Sequence, residues 1–492
     1  MSLFQLRRPL GGLIGLLLAL SFTSHADAGR YLRACCRQQA TLPAGQLVQA
    51  RYTETVLELE HNAAPWQPTA YAGRGGLWWS AATFARADTL TAEARPRPYY
   101  SATQWTPTAL LYRDYGDQDL LPLAPGRQQD ELFRAARYAP GPLLAWFEQH
   151  RVAPLPDTSA GLARFRATLH QTVVTLSIRR ADAQLVRVAL LAPDELRGDV
   201  TTTYDYADYA TLGRLAYPTR IVVRKYDGRL REEVRVREAR LVVAAPVLLA
   251  APAGGPPRPA AEVPATVQVQ ALAPQLHLLA LPHTNDQVLV AEFATFLVVA
   301  EAPLNSANGE LIIREAQRLA PGKPIRYFVF GHHHPHYAGG LRAFVRLGAT
   351  ILHGPGDAGY VRDLATAPHT LQPDSLQRHP TLLHAEEITD RKTIADGTLE
   401  MTIYCIGKQS EHTNDYLIYY FPQHKLLFED DLAGVPSQGP ARKASARQRG
   451  LYQAITERGL AVDTVVQSWP VRGGIKTIIP FRELTEAMSV GP

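Results

Sequence analysis

KPIRYFVFGHHHPHYAGGLRAFVRLGATIL, from Lys323 to Leu352, is the stretch that decides the fold of the C-terminal half. Ile325 to Phe330 is a short apolar run closed by Gly331, as a buried strand requires, and Leu341, Phe344 and Leu347 recur at helical spacing after Gly339-Gly340. The histidines therefore sit on a loop at the carboxyl end of a strand, ahead of a helix. His332, His334 and His336 occupy every second position, so their imidazoles can point to one side. Three imidazoles, or imidazoles mixed with carboxylate, suit zinc, whose catalytic sites keep one position for water. The bland alternative is a surface histidine cluster or a loop of capping residues. Four histidines in five positions, after a strand and before Gly-Gly, favour metal binding.

Outward from this loop, strands and helices alternate. Val288 to Glu301 reads as two buried strands, and Ser306 or Asn308 caps a helix through Leu319 with Leu311, Ile312, Ile313, Ala316 and Leu319 inward. Thr350 to His353 is a strand and Asp357 to Ala365 a helix; Leu399 to Ile406, Asp415 to Phe421 and Lys425 to Phe428 form a meander. A helix capped by Ser445 runs to about Arg458 and precedes the strand Asp463 to Trp469. That order is an α/β sandwich. Residues 244–264, dense in Ala, Pro and Gly, read as a linker. Before it, Thr172 to Arg179, Gln184 to Leu191, Thr219 to Lys225 and Glu233 to Val243 predict a mainly antiparallel β domain over 29–243, interrupted by helices at Gln128 to Tyr138 and Pro142 to His150.

The whole chain has 492 residues, long enough for two or three domains. With 20% charged and 46% hydrophobic residues it reads as globular, and a net charge of +5 without a Lys/Arg run speaks against a nucleic-acid partner. Arg7 and Arg8, the apolar stretch Pro9 to Phe22 and Ala26-Asp27-Ala28 make residues 1–28 a cleavable secretory signal, and the mature chain periplasmic or secreted with no transmembrane span. A membrane anchor is the alternative, but the apolar run is shorter than the ~20 residues a spanning helix needs. The three cysteines, Cys35, Cys36 and Cys405, offer no disulfide framework; the adjacent pair reads as free thiols or a labile pair.

The segment quoted first resembles the metallo-β-lactamase superfamily stretch H-x-H-x-D-H-x-G-G. His332 and His334 match its first two ligands, whereas His336 stands where Asp is expected and Tyr337 where the next His is expected. KQSEHTNDYLIYYFPQHKLLFEDDLAG, Lys408 to Gly434, is similar to the same family's third-ligand strand and bridging-carboxylate turn. His412 then matches the third histidine and Asp431 the carboxylate shared between two metals, with Asp430 in a place usually held by Gly. In VDTVVQSWPVRGG, Trp469 takes the place of the family's last metal-site histidine.

For residues 265–492 the resemblance implies a metallo-β-lactamase-type αβ/βα fold. It also implies a pocket, His332/His334/His412, holding one zinc that lowers the pKa of a bound water toward ~7. A second metal would have only His336 and Asp431, with Tyr337 and Trp469 crowding the space, so a single ion is expected. Asp431 then becomes the group that orients water, and His336 a general base near neutral pH. Asp415 is a candidate for orienting His412, and Lys408 for holding an anionic group; His283, His353 and His424 lack ligand spacing. YDYADYATLGRLAYPTRIVVRKYDG (Tyr204 to Gly228) and LWWSAATFARADTL (Leu77 to Leu90) are similar to lipoprotein-carrier half-barrels, which hold apolar ligands. Two functions follow: an exported zinc-dependent hydrolase of a small-molecule substrate, or a catalytically degenerate envelope protein with a ligand- or lipid-binding β domain. Substrate and oligomeric state are not encoded in these motifs.

Overall fold

The computed structural model describes residues 29–59, 62–92, 95–105, 110–113, 120–122, 128–156, 161–250, 263–439, 442–469 and 474–490. The expected signal, 1–28, and much of the linker lie outside the described residues. Among those described, no helix is long and apolar enough to cross a membrane. The chain divides into two units: one comprises the chain up to Leu57 with Ala70–Ala192 and Val200–Ala260, the other Glu58–Thr69, Pro193–Asp199 and Ala261–Pro492.

The first unit is built on one twelve-stranded sheet, antiparallel in every ladder described, whose first strand, Leu47–Glu58, pairs with its last, Leu230–Val242. Period-two patterning decides which side is buried: Val48, Ala50, Tyr52 and Glu54 alternate with more exposed Gln49, Arg51 and Thr53. The buried face meets helices at 29–39, Gln128–Ala136 and Gly141–Gln149 in one core containing Leu32, Cys35, Cys36, Trp79, Leu143, Leu144, Phe147 and Tyr217. Gly141 is required there, because a Cβ would collide with the Trp79 indole. The sequence reading missed the helix at 29–39; both of its cysteines are free and buried. The same interior holds charge: Arg137 donates to Glu54 at 2.8 Å and to Glu232 at 2.6 Å, and Lys225 pairs with Glu232 at 2.7 Å.

The second unit has two sheets. Seven strands run in the order Gln268–Ala273, Leu276–Leu281, Asp286–Glu292, Leu297–Ala300, Ile325–Val329, Thr350–His353 and His384–Glu387, antiparallel through Leu297–Ala300 and parallel after it. Six more, from Arg391–Ala395 to Ile478–Pro480, form the other sheet. Alternate residues of each strand feed different cores, which is why the strands read as nearly continuous apolar runs. Leu279, Val290 and Val299 pack with Ile312, Phe344 and Val361 of the helices Ser306–Leu319, Leu341–Leu347 and Ala358–Thr366. Leu278, Leu289 and Val298 join Met401, Leu417 and Phe428 of the second sheet. Ile418, Leu427 and Val465 of that sheet pack with Leu451 and Ile455 of the helix Ala446–Glu457.

The helix Ser306–Leu319 is capped by Asn305, one residue before the expected cap, since its side chain accepts from Asn308 N–H. Ser445 and Gln448 form the capping box of Ala446–Glu457. A last strand and helix, Ile478–Pro480 and Phe481–Ser489, follow the elements read from sequence.

Candidate metal centre

The strand Ile325–Val329 delivers the histidine loop to the carboxyl edge of the seven-stranded sheet. The loop lies flat against residues 302–304: Ala302 N–H donates to the Tyr337 carbonyl and Leu304 N–H to the Pro335 carbonyl. Gly339 and Gly340 allow this, because a Cβ on either would strike Leu304 or Ala302.

His332, His334 and His412 offer nitrogens that all lie within 4.8 Å of one another. Their neighbours set the tautomers. His332 Nδ1, buried, stands 2.7 Å from Asp430 Oδ2 and donates to it; His334 Nε2 donates to the Asn62 backbone carbonyl at 3.2 Å. His334 Nδ1 is then a lone pair, and it faces His332 Nε2 at 3.0 Å. His412 Nε2 is buried and makes no hydrogen bond of normal geometry. Burial, followed by the other imidazoles, holds His332 well below the usual histidine range and His334 down to about 3, so both rings are neutral. Neutral imidazoles with converging lone pairs are the donor set of a tetrahedral zinc site, and the residues fit that ion.

Beneath the trio lies a layer of acids. Gly331 has no side chain because Asp430 fills that space, and its N–H donates to Glu301, which also accepts from Tyr419 O–H at 2.7 Å. Burial, then the charge of Glu301, raises Asp430 well above the carboxylate range; burial raises Glu301 to about 8 against the lowering hydrogen bonds from Tyr419 and Asp430. The Tyr416 ring stacks on His332 at 4.9 Å, and its hydroxyl accepts from the N–H groups of Asp430 and Asp431.

Asp431 Oδ2 approaches His412 Nε2 at 3.3 Å and accepts from Arg447 Nη1 at 2.9 Å. Burial pushes its pKa up, but the His412 contact and Arg447 outweigh this and hold it below the usual value. Arg447 stands in the first turn of the helix Ala446–Glu457. Nothing in the sequence spacing pointed to it.

His336 stands apart from the trio. Its Nδ1 faces both oxygens of the buried Asp286, at 2.9 and 3.2 Å, and its ring stacks on Trp469 at 4.4 Å. The alternation that brings 332 and 334 together fails at 336 because Pro335 starts a helical turn, Pro335–Ala338, which rotates the next side chain away. Tyr337 lies 4.3 Å from the His332 ring, and its buried hydroxyl has no partner among the described residues. Leu304, His334, Pro335, His336, Tyr337, Asp431 and Trp469 enclose a cavity of about 220 Å³ beside the trio.

The structure corrects one expectation: Asp415 Oδ2 accepts from the backbone N–H of His333 at 2.8 Å and faces its Nδ1 at 3.0 Å, so it lies against His333 rather than His412. His353 and His283 are held by structural hydrogen bonds, to the Gly354 carbonyl and to Asn308. Asn62, from the first part of the chain, was also missed; it contacts both His333 and His334.

No family model matches the sequence, and no curated protein matches it. Among its structural neighbours are metallo-β-lactamases. A metallo-β-lactamase from Pontibacter korlensis is 16% identical over 46% of this chain and 98% of its own, with a TM-score of 0.32. The metallo-β-lactamase FIM-1 of Pseudomonas aeruginosa, in a mono-zinc form, is 15% identical over 45% and 93%, with a TM-score of 0.33. A flavoprotein of Thermotoga maritima is 12% identical over 46% and 61%, with a TM-score of 0.33.

Proposed function

We propose that the second unit is a metallo-β-lactamase-type αβ/βα sandwich acting as an exported, single-zinc hydrolase of a small molecule, with His332, His334 and His412 as the metal ligands. The observation that carries this reading is the convergence of three imidazole nitrogens within 4.8 Å of one another, with His332 Nε2 and His334 Nδ1 3.0 Å apart and His412 Nε2 beside Asp431. A single cation there would satisfy all three nitrogens at once. The sequence resemblance over 265–492 and the expected signal at 1–28 support the family and the export.

Zinc in this trio supplies a Lewis acid and an acidified water at neutral pH. The chain's own groups do the rest. Asp430 and the Asn62 carbonyl fix the imidazoles, Asp431 is the carboxylate that orients and accepts a proton at the trio, and Tyr337 offers a hydroxyl to the cavity. Arg447 balances the charge of Asp431, a role that a second metal fills in two-metal sites. His336 is assigned neither ligand nor base here, because Asp286 and Trp469 hold it. The cavity of about 220 Å³ suits a compact ester, thioester, amide or lactam group.

Zinc analysis of the purified protein tests the site. His332→Ala and His412→Ala are each expected to lose one equivalent and to abolish turnover in a screen of esters, thioesters, lactams and phosphodiesters. Unchanged zinc content in both variants would overturn the assignment.

A further inference from the structure

We propose that His333, Asp357 and Asp415 form a second, separate cation site, buried behind the histidine loop, which takes a divalent ion of the zinc class and ties that loop to the hairpin carrying His412. Their ligand atoms all lie within 4.8 Å of one another, and none of the three residues is more than 3% exposed. The proposal does not depend on whether the trio holds a metal.

Three independent features point to an ion. Asp357 is the N-cap residue of the helix Ala358–Thr366, yet its side chain makes no capping hydrogen bond. An aspartate there ordinarily accepts from an N–H of the first turn; this one is turned inward, and neither of its oxygens makes a hydrogen bond of normal geometry. Asp415 Oδ1 is likewise unpartnered and buried. Two facing, buried carboxylates with unfilled acceptors are costly unless a shared proton or a cation lies between them, and a cation serves both together with the His333 ring.

The third feature is the tautomer of His333. Asn62 Nδ2 donates to the Ala64 carbonyl at 2.7 Å, so Asn62 Oδ1 is the atom that meets His333 Nε2, at 3.1 Å, and Nε2 carries the proton. Nδ1 is the ring atom left facing Asp415, 3.0 Å from its Oδ2. One dication balances the charge of two carboxylates, and one nitrogen with two carboxylate oxygens suits zinc or manganese. His333 lies between His332 and His334, and Asp415 three residues beyond His412. An ion here would brace three ligands of the neighbouring centre from behind.

The full chain, stripped with chelator, reloaded with zinc sulfate and desalted, is assayed for bound zinc. The parent is expected to hold two equivalents, Asp357→Asn one, His412→Ala one, and the double variant none. Asp357→Ser, which retains a helix-capping side chain, is expected to match Asp357→Asn, and zinc is expected to raise the Tm of the parent more than that of either. Wild-type zinc content in both Asp357 variants, or a parent holding a single equivalent that only His412→Ala removes, overturns the proposal. A parent whose zinc falls in the Asp357 variants but not in His412→Ala supports this site and overturns the trio instead.

Discussion

Arg447 donates to Asp431 at 2.9 Å on the same carboxylate oxygen that lies 3.3 Å from His412. The carboxylate aimed at the histidine trio is therefore charge-balanced by a guanidinium. Its acidity, and the pH range in which it can accept a proton, are set by a side chain on a separate helix.

Replacing Arg447 by Gln removes one of the influences that keep Asp431 below its usual value. With less to oppose burial, the Asp431 pKa rises, and the acidic limb of kcat/KM is expected to move to higher pH. A pH–rate profile reads this directly. An acidic limb that stays in place would mean that Asp431 is not the group being titrated.

Gly331 and Asp430 occupy one space between them. Gly331→Ala would drive a methyl group into the buried carboxylate and is expected to cost about 1–3 kcal/mol, lowering Tm. Asp430→Gly empties the site, and Gly331→Ala should cost much less in that background. Additive effects in a double-mutant cycle would contradict the direct clash.

The neutral imidazoles give the zinc-free protein an acid sensitivity. His334 titrates near 3 when folded and near 6.5 when unfolded, so below about 6.5 the unfolded chain binds more protons. Stability is thus full above that pH and falls progressively toward 3. His334→Asn should flatten this part of the curve. Urea unfolding midpoints of the stripped protein between pH 7 and 4 test it, and a flat parent curve would refute it.

In the first unit, Arg137 answers both Glu54 and Glu232 in the sheet's interior. Arg137→Met strands buried carboxylates and is expected to cost about 3–5 kcal/mol. Adding Glu54→Gln should recover part of the loss. A shift in Tm of under a degree for Arg137→Met would show that Lys225 alone suffices.

The strands and helices around the histidine loop were legible because each has a strong local signature: a short apolar run ending at Gly331, a capping Ser445 ahead of its helix, and strands that read as continuous apolar runs. The trio was legible because its spacing is local at His332 and His334, and His412 sits ahead of an apolar strand. What could not be read was anything decided by a partner distant in sequence. His336 follows the alternation but turns away after Pro335 to meet Asp286, Arg447 looks like an ordinary helix-surface residue, and Asp357 looks like an ordinary cap. Asp415 was assigned to the nearer histidine in sequence, whereas packing gives it to His333. The helix at 29–39 was hidden by its position directly after the expected signal.

Asn62 holds His334 across 272 residues of chain. A fragment beginning at the linker would carry all three trio histidines and still lack the carbonyl that settles the proton on one of them. The same contact orders events during synthesis. The segment Glu58–Thr69 leaves the ribosome long before the loop it supports, and its proper place exists only once the C-terminal unit has been made. Closing a loop of this length carries an entropic cost, and the histidine centre cannot be complete before the C-terminal unit has been made.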